Sequence, residues 1–167
     1  MFTTLLLLAV PSLGFRLLGA LGVRRFTDLR ICAAHGMAVM LFFTGLAHFL
    51  PESVTVMPDH GDMVAMVPSF VPFPRFMVYA TGVLEFLGAL GLVLTRTRPA
   101  AGVCLAVLFV LMFPANVHAA VEEIPLNGDP ATPLWFRVPE QVLFIPVALW
   151  ASGIARRFRS AAPAPVS

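Results

Sequence analysis

Residues 73–94 read FPRFMVYATGVLEFLGALGLVL, a run whose only charged residues are Arg75, at its edge, and Glu85. A helix of about 20 mostly apolar residues spans a hydrocarbon core about 30 Å thick. The run therefore predicts a membrane-crossing helix with an acidic side chain near its centre. A charge at that depth costs roughly 2.5–3.5 kcal/mol, so Glu85 is expected to face other helices and not lipid.

The composition of the whole chain agrees with this prediction. Hydrophobic residues make up 59% of the 167 residues and charged residues only 12%, against about 25% charged in an ordinary soluble domain. All eleven Lys or Arg residues are arginines, and most lie in clusters beside apolar runs, a pattern typical of membrane flanks and not of a nucleic-acid-binding surface. No nucleic-acid partner is expected.

Five apolar runs are candidates for membrane-crossing helices. They are residues 2–23, 31–50, 73–94, 100–121 and 138–154. The predicted fold is an all-α membrane protein, a four-helix transmembrane bundle (31–154) preceded by an additional N-terminal transmembrane helix and an arginine-rich loop (1–30). We expect the first run to be retained, because it lacks the basic start and small-residue cleavage site of a signal peptide. The Pro-rich tail, 155–167, is expected to be disordered.

Arginines predict the orientation of the chain. Eight of them lie after the first, third and fifth runs: Arg24, Arg25, Arg30, Arg96, Arg98, Arg156, Arg157 and Arg159. Only Arg75 and Arg137 lie beside the other two connections, which hold acidic residues instead. By the positive-inside rule, the N-terminus is outside and the C-terminus cytoplasmic in a bacterial cytoplasmic membrane. The first acidic connection is also expected to contain a short interfacial helix over residues 62–67 and a solvated His60.

Polar side chains in the outer half of the runs form the candidate site. The candidates for a ligand or proton site are His48, Glu85, Asn116, Arg137 and Gln141, and we expect them to converge on one pocket. Small residues near Glu85 at three-residue spacing, Gly82, Gly88 and Gly91, form a helix-packing face, and Pro114 is expected to kink its helix. Such polar groups can also serve only to hold helices together, and the sequence leaves both interpretations open.

Metal and nucleophilic chemistry have no support in the sequence. Cys32 and Cys104 are too far apart for a metal motif, and CxxC and HExxH sequences are absent. No metal site is predicted, and the catalytic residues, if there are any, are not identified by a motif.

Several segments together resemble the DoxX-like family of small bacterial membrane proteins. They are GLAHF (45–49), MVPSFVPFP (66–74), VYATGVLEFLGALGLVL (78–94), FPANV (113–117) and RVPEQ (137–141). The resemblance implies a four-helix core and a link to redox functions, since the family is named after a membrane subunit associated with thiosulfate:quinone oxidoreduction. The candidate residues named above, with Pro114, occupy the family's recurrent polar or special positions. The chain lacks the paired cysteines of redox-associated relatives, so the resemblance does not extend to thiol–disulfide chemistry.

Three functions follow as hypotheses. The first is a redox-associated subunit that binds a quinone or similar apolar molecule and acts with a partner oxidoreductase rather than as a stand-alone enzyme. The second is a non-enzymatic lipid- or solute-binding module, or a permease-like subunit. The third is a structural partner of other membrane proteins, in which the polar residues only connect helices.

Overall fold

The computed structural model describes residues 2–54 and 56–154, and the helices of these residues confirm the predicted all-helical class. Their order is α1 (Thr3–Ala20), a 3-10 turn (Arg24–Phe26), α2 (Leu29–Ala47), α3 (His60–Ala65), α4 (Pro74–Val93), α5 (Arg98–Val121) and α6 (Leu134–Ser152). The described residues form no β-strand, only an isolated bridge between Leu126 and Asp129. The expected disordered tail, with its three arginines, lies outside the described residues.

Four of the described helices are long and apolar enough to cross a membrane: α1, α2, α4 and α5. They correspond to the first four apolar runs of the sequence. The fifth run corresponds to α6, which begins at Leu134 and not at residue 138. Its first half carries Arg137, Glu140 and Gln141, and α6 is not among the four apolar helices.

Local sequence signals explain where several helices begin and end. The Asp28 side chain accepts a hydrogen bond from the backbone N–H of Arg30 and caps α2. Pro74 occupies the first turn of α4, where its missing N–H costs nothing. Asp59 and Asp62 form a reciprocal capping box on α3, which is why this short helix begins at His60, two residues before the predicted start. Gly153 adopts a left-handed conformation, φ 73°, and ends α6.

Four helices close a ring, and α1 lies outside it. Helix α2 packs against α4 and α6, and α5 packs against the same two helices from the other side. The core between them includes Met37, Leu41, Leu92, Leu105 and Ala148. Helix α1 packs on the outer side of α2, and only Leu8 and Gly19 of its residues are buried.

Consecutive long helices run antiparallel, so the connections alternate between two ends of the bundle. The arginine end holds residues 21–28 and 94–97, with Arg24, Arg25 and Arg96 and the adjacent Arg30 and Arg98. The acidic end holds residues 48–73 and 122–133, with Glu52, Asp59, Asp62, Glu122, Glu123 and Asp129. His48, Asn116, Arg137 and Gln141 lie in the half of the bundle toward the acidic end, and Glu85 lies in the middle of α4.

Candidate functional site

A histidine and a glutamate meet between α2 and α4. Glu85 lies in the middle of α4 and is 3% exposed, while His48 directly follows α2 and is 4% exposed. The Nε2 atom of His48 lies 3.6 Å from Oε1 of Glu85. The sequence predicted that both would belong to one polar group, and the structure places them side by side.

The backbone of α4 determines which nitrogen of His48 carries hydrogen. Nδ1 lies 2.8 Å from the carbonyl oxygen of Val78, and because a carbonyl can only accept, Nδ1 must be the donor. In the neutral ring Nε2 is then an acceptor that faces a second acceptor, the Glu85 carboxylate. One proton on either group would turn this repulsion into attraction and make the pair neutral overall, which lowers the cost of burying it.

Thr44 binds the other oxygen of the same carboxyl group. Its Oγ1 donates to Oε2 of Glu85 across 2.5 Å. Thr44 precedes His48 by four residues on α2, one helical turn, so both side chains face α4. The sequence prediction missed Thr44, although the four-residue spacing to His48 was a signal that could have identified it.

Helix α3 packs against His48 and α4 at the acidic end of the bundle. Nδ1 of His60 donates to the carbonyl oxygen of His48 across 2.8 Å, and the His60 ring stacks on Tyr79 with a centroid distance of 4.1 Å. The expectation that His60 is solvated was therefore wrong, because the capped turn of α3 folds the segment back onto the bundle. The Nε2 atom of His60 is buried and has no hydrogen-bond partner among the described residues.

Two further contacts tie the α3 segment to the rest of the bundle. The carboxylate of Asp62 accepts a hydrogen bond of 2.8 Å from the backbone N–H of Asn127 in the second acidic connection. Nδ1 of His118 on α5 donates to the carbonyl oxygen of Met66 across 3.1 Å. Both acidic connections are thus joined to each other above the ends of the long helices.

The remaining candidate residues form a second polar group between α5 and α6. Nη1 of Arg137 donates to Oδ1 of Asn116 across 2.6 Å, and Gln141 donates to the backbone carbonyl of Phe109. Pro114 follows on the same helix and lacks the N–H that would donate to the carbonyl of Val110, one residue after Phe109. Within the described residues, Arg137 Nε is buried and unpartnered.

The five candidate residues thus lie in two groups, one between α2 and α4 and one between α5 and α6. No hydrogen bond or ion pair within residues 2–54 and 56–154 connects the two groups. Convergence of all five on one pocket stays a prediction.

The prediction that Gly82, Gly88 and Gly91 share one packing face was wrong, because three-residue spacing turns around the helix and divides them between two faces of α4. A Cβ atom added at Gly82 would lie 2.6 Å from Cβ of His48, so the imidazole reaches α4 only because this residue has no side chain. On the other face, Gly91 lies against Ala101 of α5, at 2.7 Å by the same construction, and Gly88 lies against Leu105. Close helix approach at small residues is the usual packing mode of membrane helices.

The described residues contain no cluster of three or more His, Cys, Asp or Glu side chains that could hold a metal ion.

Of the comparisons with known proteins, only the one with family profiles gives a match. No curated protein and no solved structure matches the chain. The profile of a family described as "Domain of unknown function (DUF8561)" matches residues 37–152. The match covers most of α2 and all of α3 to α6, including both polar groups, and leaves α1 outside. Because the match spans more than half of the chain, the protein belongs to the DUF8561 family.

Proposed function

We propose that this chain is a multi-pass protein of the bacterial cytoplasmic membrane that binds an apolar, carbonyl-bearing molecule of the quinone class and works with a partner oxidoreductase. In this proposal α6 is a fifth crossing, the arginine end is cytoplasmic, and the N-terminus is outside. The four apolar helices support a membrane location. The resemblance of GLAHF, FPANV and RVPEQ to the DoxX-like family supports the redox association.

The observation that carries the proposal is the pair of His48 and Glu85. A quinone takes up two electrons and two protons to become a quinol. The partner oxidoreductase supplies the electrons, and the pair holds one proton at a time where apolar helices exclude water. A carbonyl oxygen of the ligand accepts a hydrogen bond from whichever group carries that proton.

Access to the pair is from the acidic end of the bundle. The side chains of both residues are almost fully enclosed, and α3 covers that end through His60, whose ring touches Tyr79. A ligand therefore reaches Glu85 only when the α3 segment or the α2–α4 contact opens.

The enclosure also favours a second candidate function, in which the pair only fastens α2 to α4. Both oxygens of Glu85 already have neighbours, Thr44 and His48, and a satisfied polar cluster between membrane helices is a common structural device. In that case the protein is a structural partner of other membrane proteins, without a ligand at Glu85.

Purification from native membranes separates the two candidates. Wild-type protein, Glu85→Gln and the matched control Glu122→Gln, on the exposed acidic end, are purified in mild detergent. Bound quinone is then extracted and measured by absorbance and mass spectrometry. We expect near-stoichiometric quinone with the wild type and the control, and a loss of at least tenfold with Glu85→Gln. An absence of quinone from all three, with folded protein, would contradict the proposal and leave the structural function.

A further inference from the structure

An apolar groove runs along the outer side of the bundle between α4 and α5. Its volume is about 400 Å³, within the range of roughly 300–1,000 Å³ typical of small-molecule sites. Leu87, Gly88, Gly91 and Cys104 are among the residues that line it, and Thr97 lines it at the end of α4. Leu87 is 58% exposed, so the groove opens outward, away from the core of the ring.

Positive charge is concentrated at the end of the groove where Thr97 lies. Arg96 precedes Thr97, is exposed, and makes no hydrogen bond or ion pair within the described part of the chain. The guanidinium of Arg25 lies at the same end of α4, because its Nη2 donates to the carbonyl oxygen of Val93 across 2.9 Å. Only Asp28 carries negative charge among the described residues of the arginine-end connections.

We propose that this groove binds an anionic glycerophospholipid, with an acyl chain along the apolar side chains of α4 and α5 and the phosphate at the arginine end, beside Arg96. An apolar channel that ends at exposed arginines is complementary to a molecule with a long hydrocarbon chain and a negative headgroup. The inference depends on the proposed membrane location of α4 and α5, and not on the ligand of Glu85.

Charge also argues against a second copy of this chain as the occupant. Copies inserted in one membrane share one orientation, so a neighbour in the groove would bring its own arginine end against Arg96 and Arg25. The positive charges of the two arginine ends would repel each other. A phospholipid phosphate at the same place is attracted instead.

Cys104 provides a direct test, because it lines the groove and is exposed, whereas Cys32 is buried. Cys104 is labelled with an environment-sensitive fluorophore, with Cys104→Ser as the labelling control. The protein is reconstituted in phosphatidylcholine vesicles that contain brominated phosphatidylglycerol, or an equal amount of brominated phosphatidylcholine, as the quencher. One arginine near a phosphate favours the anionic lipid about fivefold, and we expect at least this preference in quenching. Arg96→Gln should reduce it, and Arg75→Gln, an exposed arginine at the other end of α4, should not.

Each other outcome overturns the inference in a distinguishable way. Equal quenching by the two lipids means that the groove takes any acyl chain. Quenching that disappears for both lipids as the protein-to-lipid ratio rises means that a second copy covers the groove. No quenching by either lipid at any ratio means that α4 and α5 are not in the bilayer, and the proposed membrane location then fails as well.

Discussion

Gly82 of α4 lies directly against His48, the residue that follows α2, and this contact brings the side chains of His48 and Glu85 together inside an apolar bundle. A Cβ atom at Gly82 would lie 2.6 Å from His48 Cβ and 2.7 Å from Cε2 of Phe49. Real Cβ atoms do not approach other atoms this closely, so α4 or the segment of His48 and Phe49 would have to move to accept the methyl group. The distance between His48 and Glu85 therefore depends on a residue that has no side chain.

Gly82→Ala is expected to destabilise the protein by about 1–3 kcal/mol, the usual cost of overpacking. The control is Gly14→Ala on α1, where the added Cβ meets nothing within 4 Å and helix propensity favours alanine. Thermal unfolding in detergent, followed by circular dichroism, measures both. Equal melting temperatures for the two variants would mean that α2 and α4 are not packed as closely as the structure shows.

Substitutions of Glu85 show whether its hydrogen bonds or its ionisable carboxyl group stabilises the contact between α2 and α4. In Glu85→Gln the amide can donate to Nε2 of His48 and its oxygen can still accept from Thr44, so we expect a loss of less than about 1 kcal/mol. Glu85→Ala leaves Nε2 of the buried His48 without its partner, while Thr44 keeps its 3.4 Å contact with the Leu41 carbonyl, and the variant should lose about 1–3 kcal/mol of stability. The same unfolding measurement applies, with Glu122→Ala as the exposed control. A Gln variant as unstable as the Ala variant would show that the carboxyl group itself, and not its hydrogen bonds, holds the helices.

The apolar runs were sufficient to predict α1, α2, α4 and α5, because length and hydropathy are local properties of the chain. The hydrogen-bond partners within the two polar groups could not be predicted in this way, because they are far apart in the sequence. Which partner Arg137 finds depends on which helices are neighbours, and the ring order that places α6 beside α5 brings Arg137 to Asn116. The position of His60 was missed for a similar reason, since the connection folds back to contact His48 and Tyr79.

Arg98 shows a role that the positive-inside rule does not predict. Its Nε donates to the carbonyl of Leu92 across 2.7 Å and its Nη2 to that of Val93 across 3.1 Å. These carbonyls belong to the last turn of α4, where intrahelical donors are missing and a cation is favourable. Arg98 therefore connects the end of α4 to the start of α5 in addition to marking a membrane flank.

Arg98→Gln is expected to lower the free energy of unfolding by about 1.5–3 kcal/mol, the range for hydrogen bonds to a charged group. Arg96→Gln is the matched control, two residues away and exposed, and should change the stability by less than about 0.5 kcal/mol in detergent without anionic lipid. Denaturation by increasing mole fractions of a harsh detergent measures the difference. Equal effects would mean that both arginines act only as flanking charges.

The proposal that the chain crosses the membrane five times depends most on α6, since α6 is not one of the four apolar helices. At 19 residues and about 1.5 Å per residue, it is about as long as the hydrocarbon core is thick. Its polar side chains have partners on other helices: Arg137 binds Asn116, Glu140 accepts from Thr4, and Gln141 binds the backbone of α5. These contacts lower the cost of placing α6 within the membrane.

Fusions to reporters measure whether α6 crosses. We expect green fluorescent protein to fluoresce after Arg98 and after Gly153, and alkaline phosphatase to be active after Glu123, because these sites alternate between the arginine end and the acidic end. If the fusions after Glu123 and Gly153 report the same compartment, α6 lies along the surface and does not cross. In that case Arg137 and Gln141 would have to reach α5 from the membrane interface. The hydrogen bond of Gln141 to the Phe109 carbonyl, twelve residues into α5, is the contact least compatible with that position.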